Sequence, residues 1–373
     1  MIFVLRFFCF HMNTNIIFTK ALQLQPLTED EAMYIYEHAP TDELMALASL
    51  IRQKHVPGKK VGWQIDRNVN YTNVCVSGCL FCNFHCKPHE TKKHYTPAIE
   101  EYCEKIEALF AIGGNQLLLQ GGLHPSFKLD FYETLFRDLK RRYPALKLHA
   151  LGPPEVAHIA RLEKMTYRET LERLIAAGLD SLPGAGAEIL VDRVRKQVSP
   201  AKPDAQSWLE VMREAHRLRL TTSATMLFGF IETLRERIQH LLKIRKLQSE
   251  KPKNATGFLN FICWPVQPKG TKLAKYYALK PVTPTEYVRT VAISRIVLTN
   301  IKNIQASWLT VGRDTAQICL HAGANDLGSI MMEENVLAAT GVRERMDIKS
   351  MVHTIREAGF EPYLRNQHYQ LIS

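Results

Sequence analysis

Hydrophobic and polar positions follow two different rhythms along most of this chain. Short apolar runs rich in β-branched residues recur, and each is followed by a longer stretch in which apolar residues return every three or four positions. The first pattern predicts buried strands and the second predicts amphipathic helices. Because the two alternate regularly, they predict parallel strands joined by right-handed helical connections.

Seven strand–helix units are clear and an eighth is weaker. The predicted strands are VNYTNV at 69–74, QLLLQ at 116–120, LKLHAL at 146–151, LDSL at 179–182, TSATMLF at 222–228, TGFLNFI at 256–262, IQASWL at 304–309 and a weaker segment at 324–328. The predicted helices lie at 97–113, 129–142, 154–177, 187–219, 231–249, 283–300, 312–321 and 347–358. An open doubly wound sheet has the same alternation, but eight units favour an α/β fold of the (β/α)8 TIM-barrel type.

Two further helices are predicted before the first strand. LTEDEAMYIYEHA and TDELMALASLIRQKH each combine helical apolar spacing with a Thr and acidic residues at the start, which is typical of a capped helix. We therefore divide the chain into an N-terminal helical segment at 12–60, the barrel at 61–330 and a C-terminal helical segment at 331–373 that completes it.

Residues 1–11 are apolar but do not resemble a targeting signal. Arg6 interrupts the apolar run, and no small-residue cleavage site follows it. Met12 offers a second start codon. We interpret 1–11 either as a gene-model extension or, equally, as an apolar arm packed on the domain.

Composition and charge limit the class of protein. The 373 residues are 46% hydrophobic and 23% charged, which is typical of a globular protein with a sizeable core. The net charge of +11 is scattered without long basic tracts, so a solvated basic surface is favoured over a nucleic-acid site. No apolar run approaches the roughly 20 residues of a membrane span. We expect a cytoplasmic protein without a nucleic-acid partner.

Four of the eight cysteines lie close together in NYTNVCVSGCLFCNFHCKPHE, directly after the first predicted strand. Cys75, Cys79 and Cys82 have C-x3-C-x2-C spacing, and three thiolates can hold three irons of a 4Fe–4S cube while the fourth iron stays open. A structural zinc site usually takes four ligands in two separated pairs. Cys86 or His85 could complete such a site, but no second pair follows. The open cluster is therefore favoured over zinc, and Cys86 is interpreted as a bystander.

This loop resembles the radical S-adenosylmethionine (SAM) superfamily. Phe81 precedes the third cysteine and Phe84 follows it by two positions, as in that family. There the open iron binds the amino and carboxylate groups of SAM, and reduction of the cluster releases a 5′-deoxyadenosyl radical. The resemblance therefore implies a 4Fe–4S cluster and SAM as cofactors, with Phe81 and Phe84 beside them.

Residues after the next three strands extend the resemblance. QGGLHP places Gln120, Gly121 and Gly122 where the family has a GGE-like turn that binds the SAM amino group, although the acidic position is leucine here. Glycine suits such a turn because a closely approaching ligand excludes side chains. Glu155 in GPPE and Glu188 in GAGAE either bind SAM or cap the helices that they begin.

Segments spread over most of residues 60–345 resemble the futalosine-pathway branch of menaquinone biosynthesis, and most of all its cyclising enzymes. They are DRNVNYTNVCVSGCLFC, QGGLHP, AGLDSLPGAGAEILVDRVR, WLEVMREAHRL, TSATMLFG, ETLRERIQHL, NIQASWLTVG and GANDLGSIMMEENV. The resemblance implies that the adenosyl radical removes the ribose 4′ hydrogen of dehypoxanthine futalosine. The substrate radical then attacks the benzoate ring, and a reduced flavodoxin or ferredoxin supplies the electron for SAM cleavage. Asn83, His85 and Cys86 depart from the residues usual in this branch.

A carboxylate-bearing substrate and a ring that loses a proton require polar donors and a base at the strand ends. We predict four substrate-binding residues, His124, Gln305, Ser307 and Asn325, and two catalytic residues, Asp326 and Glu155. Each could instead cap a helix or be a satisfied polar residue. The alternative functions are an aminofutalosine synthase, a deazaflavin cofactor synthase or, outside the enzymes, a structural zinc or Fe–S electron-transfer protein.

Overall fold

A computed structural model of the chain describes residues 13–341 and 344–372. Within these ranges ten strands form one parallel sheet in the order β10-β1-β9-β8-β7-β6-β5-β4-β3-β2. The strands are β1 Lys60–Gln64, β2 Asp66–Asn70, β3 Gln116–Gln120, β4 Lys147–Ala150, β5 Ser181–Leu182, β6 Thr221–Phe228, β7 Phe258–Pro265, β8 Asn303–Gln305, β9 Asp326–Ser329 and β10 Glu361–Leu364.

The segment from Lys60 to Asn70 brings the two ends of this sheet together. Its two strands are separated by Ile65 alone, yet β1 pairs with β9 and β10 whereas β2 pairs with β3. Because β2 stands at one end of the strand order and β1 near the other, the sheet curls round to meet itself at Ile65. The predicted parallel barrel is confirmed.

Most helices follow a strand and bury residues against the sheet or a neighbouring helix. They are α1 Thr14–Leu22, α2 Glu29–His38, α3 Thr41–His55, α4 Ile99–Ala111, α5 Leu129–Arg142, α6 Pro153–Glu163, α7 Tyr167–Ala177, α8 Asp192–Val198, α9 Ala205–Arg217, α10 Leu234–Glu250, α11 Lys272–Tyr276, α12 Pro284–Val297, α13 Trp308–Val311, α14 Arg313–His321, α15 Asn335–Ala338 and α16 Ile348–Glu357. Helices α1, α2 and α3 instead precede the sheet, and α15 buries none of its residues. None of these helices is long and apolar enough to cross a membrane.

Local sequence signals explain several helix starts. Thr28 and Glu31 form a reciprocal capping box at α2, as predicted from LTEDE. The cap predicted for the next helix is wrong, because Thr41 is already helical and Pro40 stands at the cap position without a side-chain hydrogen bond. These N-terminal helices are joined to the barrel mainly by the packing of α3 on α12.

The structure differs from the predicted elements mainly at the two ends of the sheet. The first predicted strand, 69–74, is shifted, since β2 ends at Asn70 and the following residues turn into the cysteine loop. Neither β1 nor β10 was predicted, because KVGWQ and EPYL are short and lack a clear alternation. The strand predicted at 304–309 ends at Gln305, and Trp308 begins α13.

The segment 331–373 contains β10 as well as helices, and β10 lies beside β1 in the sheet. The division at 12–60, 61–330 and 331–373 stays a prediction, and residues 1–11 lie outside the described ranges.

Candidate active site

The loop after β2 holds Cys75 and Cys79 below the surface, 8% and 4% exposed. The Ser77 hydroxyl lies 3.0 Å from Cys75 Sγ and 3.3 Å from Cys79 Sγ. The backbone N–H of Leu123 also donates to Cys75 Sγ at 3.3 Å. One hydroxyl group and one backbone N–H thus hold two of the three predicted ligands in position.

Cys82 completes the trio at the half-buried end of the loop. Burial, with the nearby Cys79, raises the pKa of Cys82 to about 11, so this thiol needs a bound cation in order to ionise at neutral pH. Among the described residues, no three His, Cys, Asp or Glu side chains are arranged to hold one metal ion. In a cube each thiolate binds its own iron, so the ligands lie farther apart than around a single zinc ion. The donor set fits a cluster better than zinc.

Cys86 contributes to this loop through its backbone. Its N–H donates to the Asn73 carbonyl at 2.9 Å, and its carbonyl accepts from the Cys75 N–H at 3.0 Å. The Cys86 Sγ lies 3.4 Å from Asn73 Oδ1. The residue therefore fixes the start of the ligand loop while its thiol faces an amide, which agrees with the interpretation of a bystander thiol.

The two glycines after β3 are required by the cysteine loop itself. A Cβ on Gly122 would collide with the Val74 carbonyl and lie 2.9 Å from the Cys75 Cβ. A Cβ on Gly121 would lie 2.7 Å from the Tyr71 ring. The Gly122 N–H also donates to the Thr72 carbonyl at 2.8 Å. Close approach of the Val74 backbone thus accounts for Gly122 and that of the Tyr71 ring for Gly121, and their predicted contact with SAM stays a prediction.

Glu188 forms a buried ion pair at the edge of the cysteine loop. Lys202 Nζ lies 2.5 Å from the Glu188 carboxylate and 5.5 Å from the centroid of the Phe81 ring. Burial lowers the pKa of Lys202, but Cys79 and Glu188 together raise it above its ordinary value. Glu188 also has a left-handed backbone, with φ of 41°, and non-glycine residues hold this conformation mainly at functional sites.

Glu155 lies in the first turn of α6 and is 7% exposed. Its pKa is raised to about 7, chiefly by burial and in part by the negative charge of Glu188, against the lowering effects of its own backbone N–H, Lys202 and the Gly121 backbone. The carboxyl therefore exchanges a proton near neutral pH, which suits a general acid or base.

The barrel interior contains a cavity of about 360 Å³ that opens beside the cysteine loop. Five of the predicted site residues line this cavity: Phe81, Gln120, Glu188, Gln305 and Ser307. The other ten lie outside its lining: Cys75, Cys79, Cys82, Phe84, Gly121, Gly122, His124, Glu155, Asn325 and Asp326.

The contacts of three of these residues favour other roles. Both carboxylate oxygens of Asp326 pair with Arg365, at 2.5 and 2.8 Å, which argues against a free general base. The Asn325 amide is fully engaged, since Oδ1 accepts from Arg295 and the Ile304 N–H. His124 stacks on a phenylalanine ring outside the cavity. No comparison tests these site assignments, so they stay predictions.

Sequence reasoning missed Asp66, Asn68 and Gln116, which together with Glu334 form a group that we define as the polar wall. All four line the cavity. Burial raises the pKa of Asp66, although Ser329, Arg365 and two amides beside it lower the value, and burial also raises the pKa of Glu334. The sequence offers no clear signal for these residues, because DRNVN is polar except at Val69 and QLLLQ has three consecutive leucines, so neither segment alternates regularly.

His149 closes the cavity on the side next to the polar wall. Its Nδ1 lies 2.7 Å from Ser181 Oγ, and that hydroxyl donates to Gln367 at 3.1 Å. Since Ser181 has given its hydrogen to Gln367, it accepts from His149 Nδ1–H, which leaves Nε2 as an acceptor. Burial, together with the positive charge of Arg365, lowers the pKa of His149 to about 4, so the ring is neutral at pH 7.

Two family models match the chain. Residues 69–244 match the radical SAM superfamily, and residues 255–373 match the CofH/MqnC C-terminal region. The first match contains the cysteine loop, and the second contains Gln305, Ser307 and Glu334.

Curated relatives match almost the whole chain. A cyclic dehypoxanthine futalosine synthase of Streptomyces coelicolor is 40% identical over 364 residues, which covers 94% of this chain and 90% of the relative. A 5-amino-6-(D-ribitylamino)uracil–L-tyrosine 4-hydroxyphenyl transferase of Methanococcoides burtonii is 35% identical over 351 residues, covering 92% and 96%.

The fold also resembles solved structures. The crystal structure of methylornithine synthase (PylB) superposes with a TM-score of 0.69 at 18% identity, covering 93% of this chain and 97% of that one. At this identity the likeness shows the fold alone.

Proposed function

The chain belongs to the radical SAM superfamily, whose members use a 4Fe–4S cluster and SAM, and we propose that it is a cyclic dehypoxanthine futalosine synthase of menaquinone biosynthesis. In the proposed reaction, the ribose 4′ hydrogen of dehypoxanthine futalosine is removed and the resulting radical cyclises onto the benzoate ring. The observation that carries the proposal is 40% identity to an enzyme of that name along 94% of the chain.

The site supports this function in three ways. Cys75, Cys79 and Cys82 would hold the cluster, and SAM bound there supplies the 5′-deoxyadenosyl radical. The cavity lies inside the barrel and opens beside the loop, so its walls limit the contact of a radical with water. Glu188, paired with Lys202, and Phe81 lie where the loop meets this cavity and are proposed to bind SAM.

The cyclised radical regains its aromatic ring by losing one electron, for which the oxidised 4Fe–4S cluster would be the acceptor, and one proton, which requires a base. Within the described ranges the carboxylates that line the cavity are Asp66, Glu188 and Glu334. Glu188 is neutralised by Lys202, whereas burial raises the pKa of Asp66 and of Glu334 and makes both better proton acceptors. We therefore favour these two over Asp326, whose oxygens are paired with the charged Arg365, whereas those of Glu334 accept, among the described residues, only from the neutral amide of Asn68 and from backbone N–H groups of α15.

An anaerobic assay tests the proposal. Reconstituted protein with reductant, SAM and dehypoxanthine futalosine is expected to release 5′-deoxyadenosine and a product two hydrogens lighter than the substrate. Mass spectrometry of the product is the measurement. Release of 5′-deoxyadenosine without that product would reject the cyclase function while retaining the superfamily chemistry.

The archaeal relatives favour a second candidate, a 4-hydroxyphenyl transferase that acts on 5-amino-6-(D-ribitylamino)uracil and L-tyrosine. Their identity, 35% over 92% of this chain in one case, is close to that of the cyclases. The same assay with those two substrates separates the candidates, because a single enzyme is expected to turn over one set only.

A reduced flavodoxin or ferredoxin is the proposed electron donor. The net charge of +11 would attract such an acidic protein through long-range electrostatics. Reduction by flavodoxin is expected to slow as salt rises from low to physiological ionic strength. A rate that is independent of salt would rule out electrostatic steering.

A further inference from the structure

The interior of this barrel is unusually polar on one side. Interiors of (β/α)8 barrels are commonly filled by Val, Ile and Leu. Here Asp66 and Asn68 of β2 and Gln116 of β3 line the cavity side by side. Glu334, at the start of α15, contacts Asn68. Asp66, Asn68 and Gln116 are 4%, 2% and 5% exposed, so water in bulk does not solvate them.

The carboxylates fix which way the two amides point. Asn68 Nδ2 donates to Glu334 Oε2 at 2.7 Å, and Gln116 Nε2 lies 3.4 Å from Asp66 Oδ2. Turning either amide over would place its carbonyl oxygen against a carboxylate oxygen, which repels it. Each amide nitrogen therefore donates to a carboxylate, and each amide carbonyl oxygen points away from that carboxylate.

Three acceptors remain without a donor in the described part of the chain. They are Asp66 Oδ1, Asn68 Oδ1 and Gln116 Oε1. Asp66 Oδ2, in contrast, receives the Gln64 amide at 2.8 Å. A buried acceptor without a partner costs about 1–3 kcal/mol, so a cluster of three is not expected unless a ligand or ordered water supplies donors.

We propose that Asp66, Asn68 and Gln116 form the subsite for a hydroxyl-bearing group of the substrate, which for the reaction proposed above is the ribose. The hydrogen bonds at this subsite would all run from ligand donors to protein acceptors. The three free atoms only accept hydrogen bonds, whereas ribose hydroxyls donate them. The inference rests on the proposed function, because the cavity must hold a substrate that carries such hydroxyls. Binding there would fix the sugar while leaving its reacting carbon to face the cysteine loop.

The test compares substrate analogues with variants. Anaerobically reconstituted protein is held with SAM but without reductant, and equilibrium dialysis gives the Kd of dehypoxanthine futalosine and of its 2′-deoxy and 3′-deoxy forms. The unaltered protein is expected to bind at least one deoxy form about tenfold more weakly. Asp66→Asn replaces the free acceptor with a donor, and Gln116→Met removes one while keeping the volume. Both variants are expected to bind dehypoxanthine futalosine about tenfold more weakly than the unaltered protein does. In each variant the Kd values of the parent compound and of the deoxy forms are expected to agree within about threefold.

Thr221→Val is the matched control, because Thr221 lines the same cavity on β6, away from the polar wall. This variant is expected to retain the discrimination against the deoxy form. Iron content and SAM affinity, measured on every variant, separate a lost subsite from a misfolded protein.

Two outcomes would overturn the subsite. The first is equal affinity of the unaltered protein for the parent and both deoxy forms, which would mean that the acceptors hold water only. The second is unchanged discrimination in Asp66→Asn and Gln116→Met. Either result is distinct from failure of the proposed function, which would show as no binding and no turnover of the parent compound by the unaltered protein.

Discussion

The cysteine loop and the polar wall adjoin the same cavity, but they are held in opposite ways. The loop is fixed by its backbone: the Cys86 amide and carbonyl bond to Asn73 and Cys75, and Gly122 lets two chain segments touch. The wall is fixed by side chains, with amides and carboxylates ordered by one another. The loop should therefore tolerate side-chain changes other than at its ligands, whereas the wall should respond to single changes of hydrogen-bonding type.

The sharpest test of the loop compares two of its cysteines. Cys75→Ala is expected to abolish SAM cleavage and to lower iron content, because one cluster ligand is lost. Cys86→Ala is expected to retain both, since the structure uses the Cys86 backbone and not its thiol for the loop. Iron analysis and 5′-deoxyadenosine release are the measurements. Loss of iron in Cys86→Ala would show that the three-ligand assignment is wrong.

The buried ion pair between Asp326 and Arg365, the residue after β10, can be removed by one substitution. Arg365→Met leaves the carboxylate of Asp326 buried without its partner, and breaking such a pair costs about 3–5 kcal/mol. Denaturant unfolding measures this loss. Arg356→Met, at an exposed position of α16, is the control and is expected to stay within about 0.5 kcal/mol. A small effect at Arg365 would mean that the interior relaxes or admits water.

Glu155, beside the Gly121 backbone and outside the cavity lining, gives a dependence on pH. Its folded pKa of about 7 exceeds the ordinary value of 4.5, so the folded chain retains a proton that the unfolded chain has released. The free energy of unfolding therefore falls as pH rises from about 4.5 to 7, by up to about 3 kcal/mol.

Glu155→Gln lacks this carboxyl and is expected to lack that part of the slope. Urea unfolding of the protein without cofactors at several pH values between 4.5 and 8 is the measurement. Identical slopes for the two proteins would mean that Glu155 is solvated in solution.

Substitution of Gly122, which has the smallest expected effect on stability, tests whether the backbone of the cysteine loop is fixed by close packing. Gly122→Ala adds a methyl group against the Val74 carbonyl and is expected to cost about 1–3 kcal/mol and to lower iron content. Gly58→Ala is the control, because Gly58 also resists substitution through its φ of 83° but has open space around it. It is expected to cost about 1 kcal/mol and to leave iron content unchanged. Full iron content in Gly122→Ala would show that the loop can shift.

The loop and the wall also differed in how far the sequence predicted them. The three predicted ligands lie within eight positions, so a local motif carries the prediction. The limits of β3 at Gln116–Gln120 and of α5 at Leu129–Arg142 agree with their patterns because flanking residues break the periodicity there. The wall takes one or two residues from each of several distant segments, and no local pattern distinguishes Asp66 or Gln116 from an exposed polar residue. Their meeting depends on strand register, which the sequence does not display.

The pairing of β1 with β10 has a consequence for how the protein is made. Lys60 of β1 pairs with Glu361 of β10, so β1 lacks this neighbouring strand until the chain has been synthesised beyond Glu361. Until then one side of β1 stays an open edge, able to pair with another strand. A truncated protein without β10 would keep every predicted cluster ligand. It would still tend to aggregate, because one edge of β1 would stay unpaired.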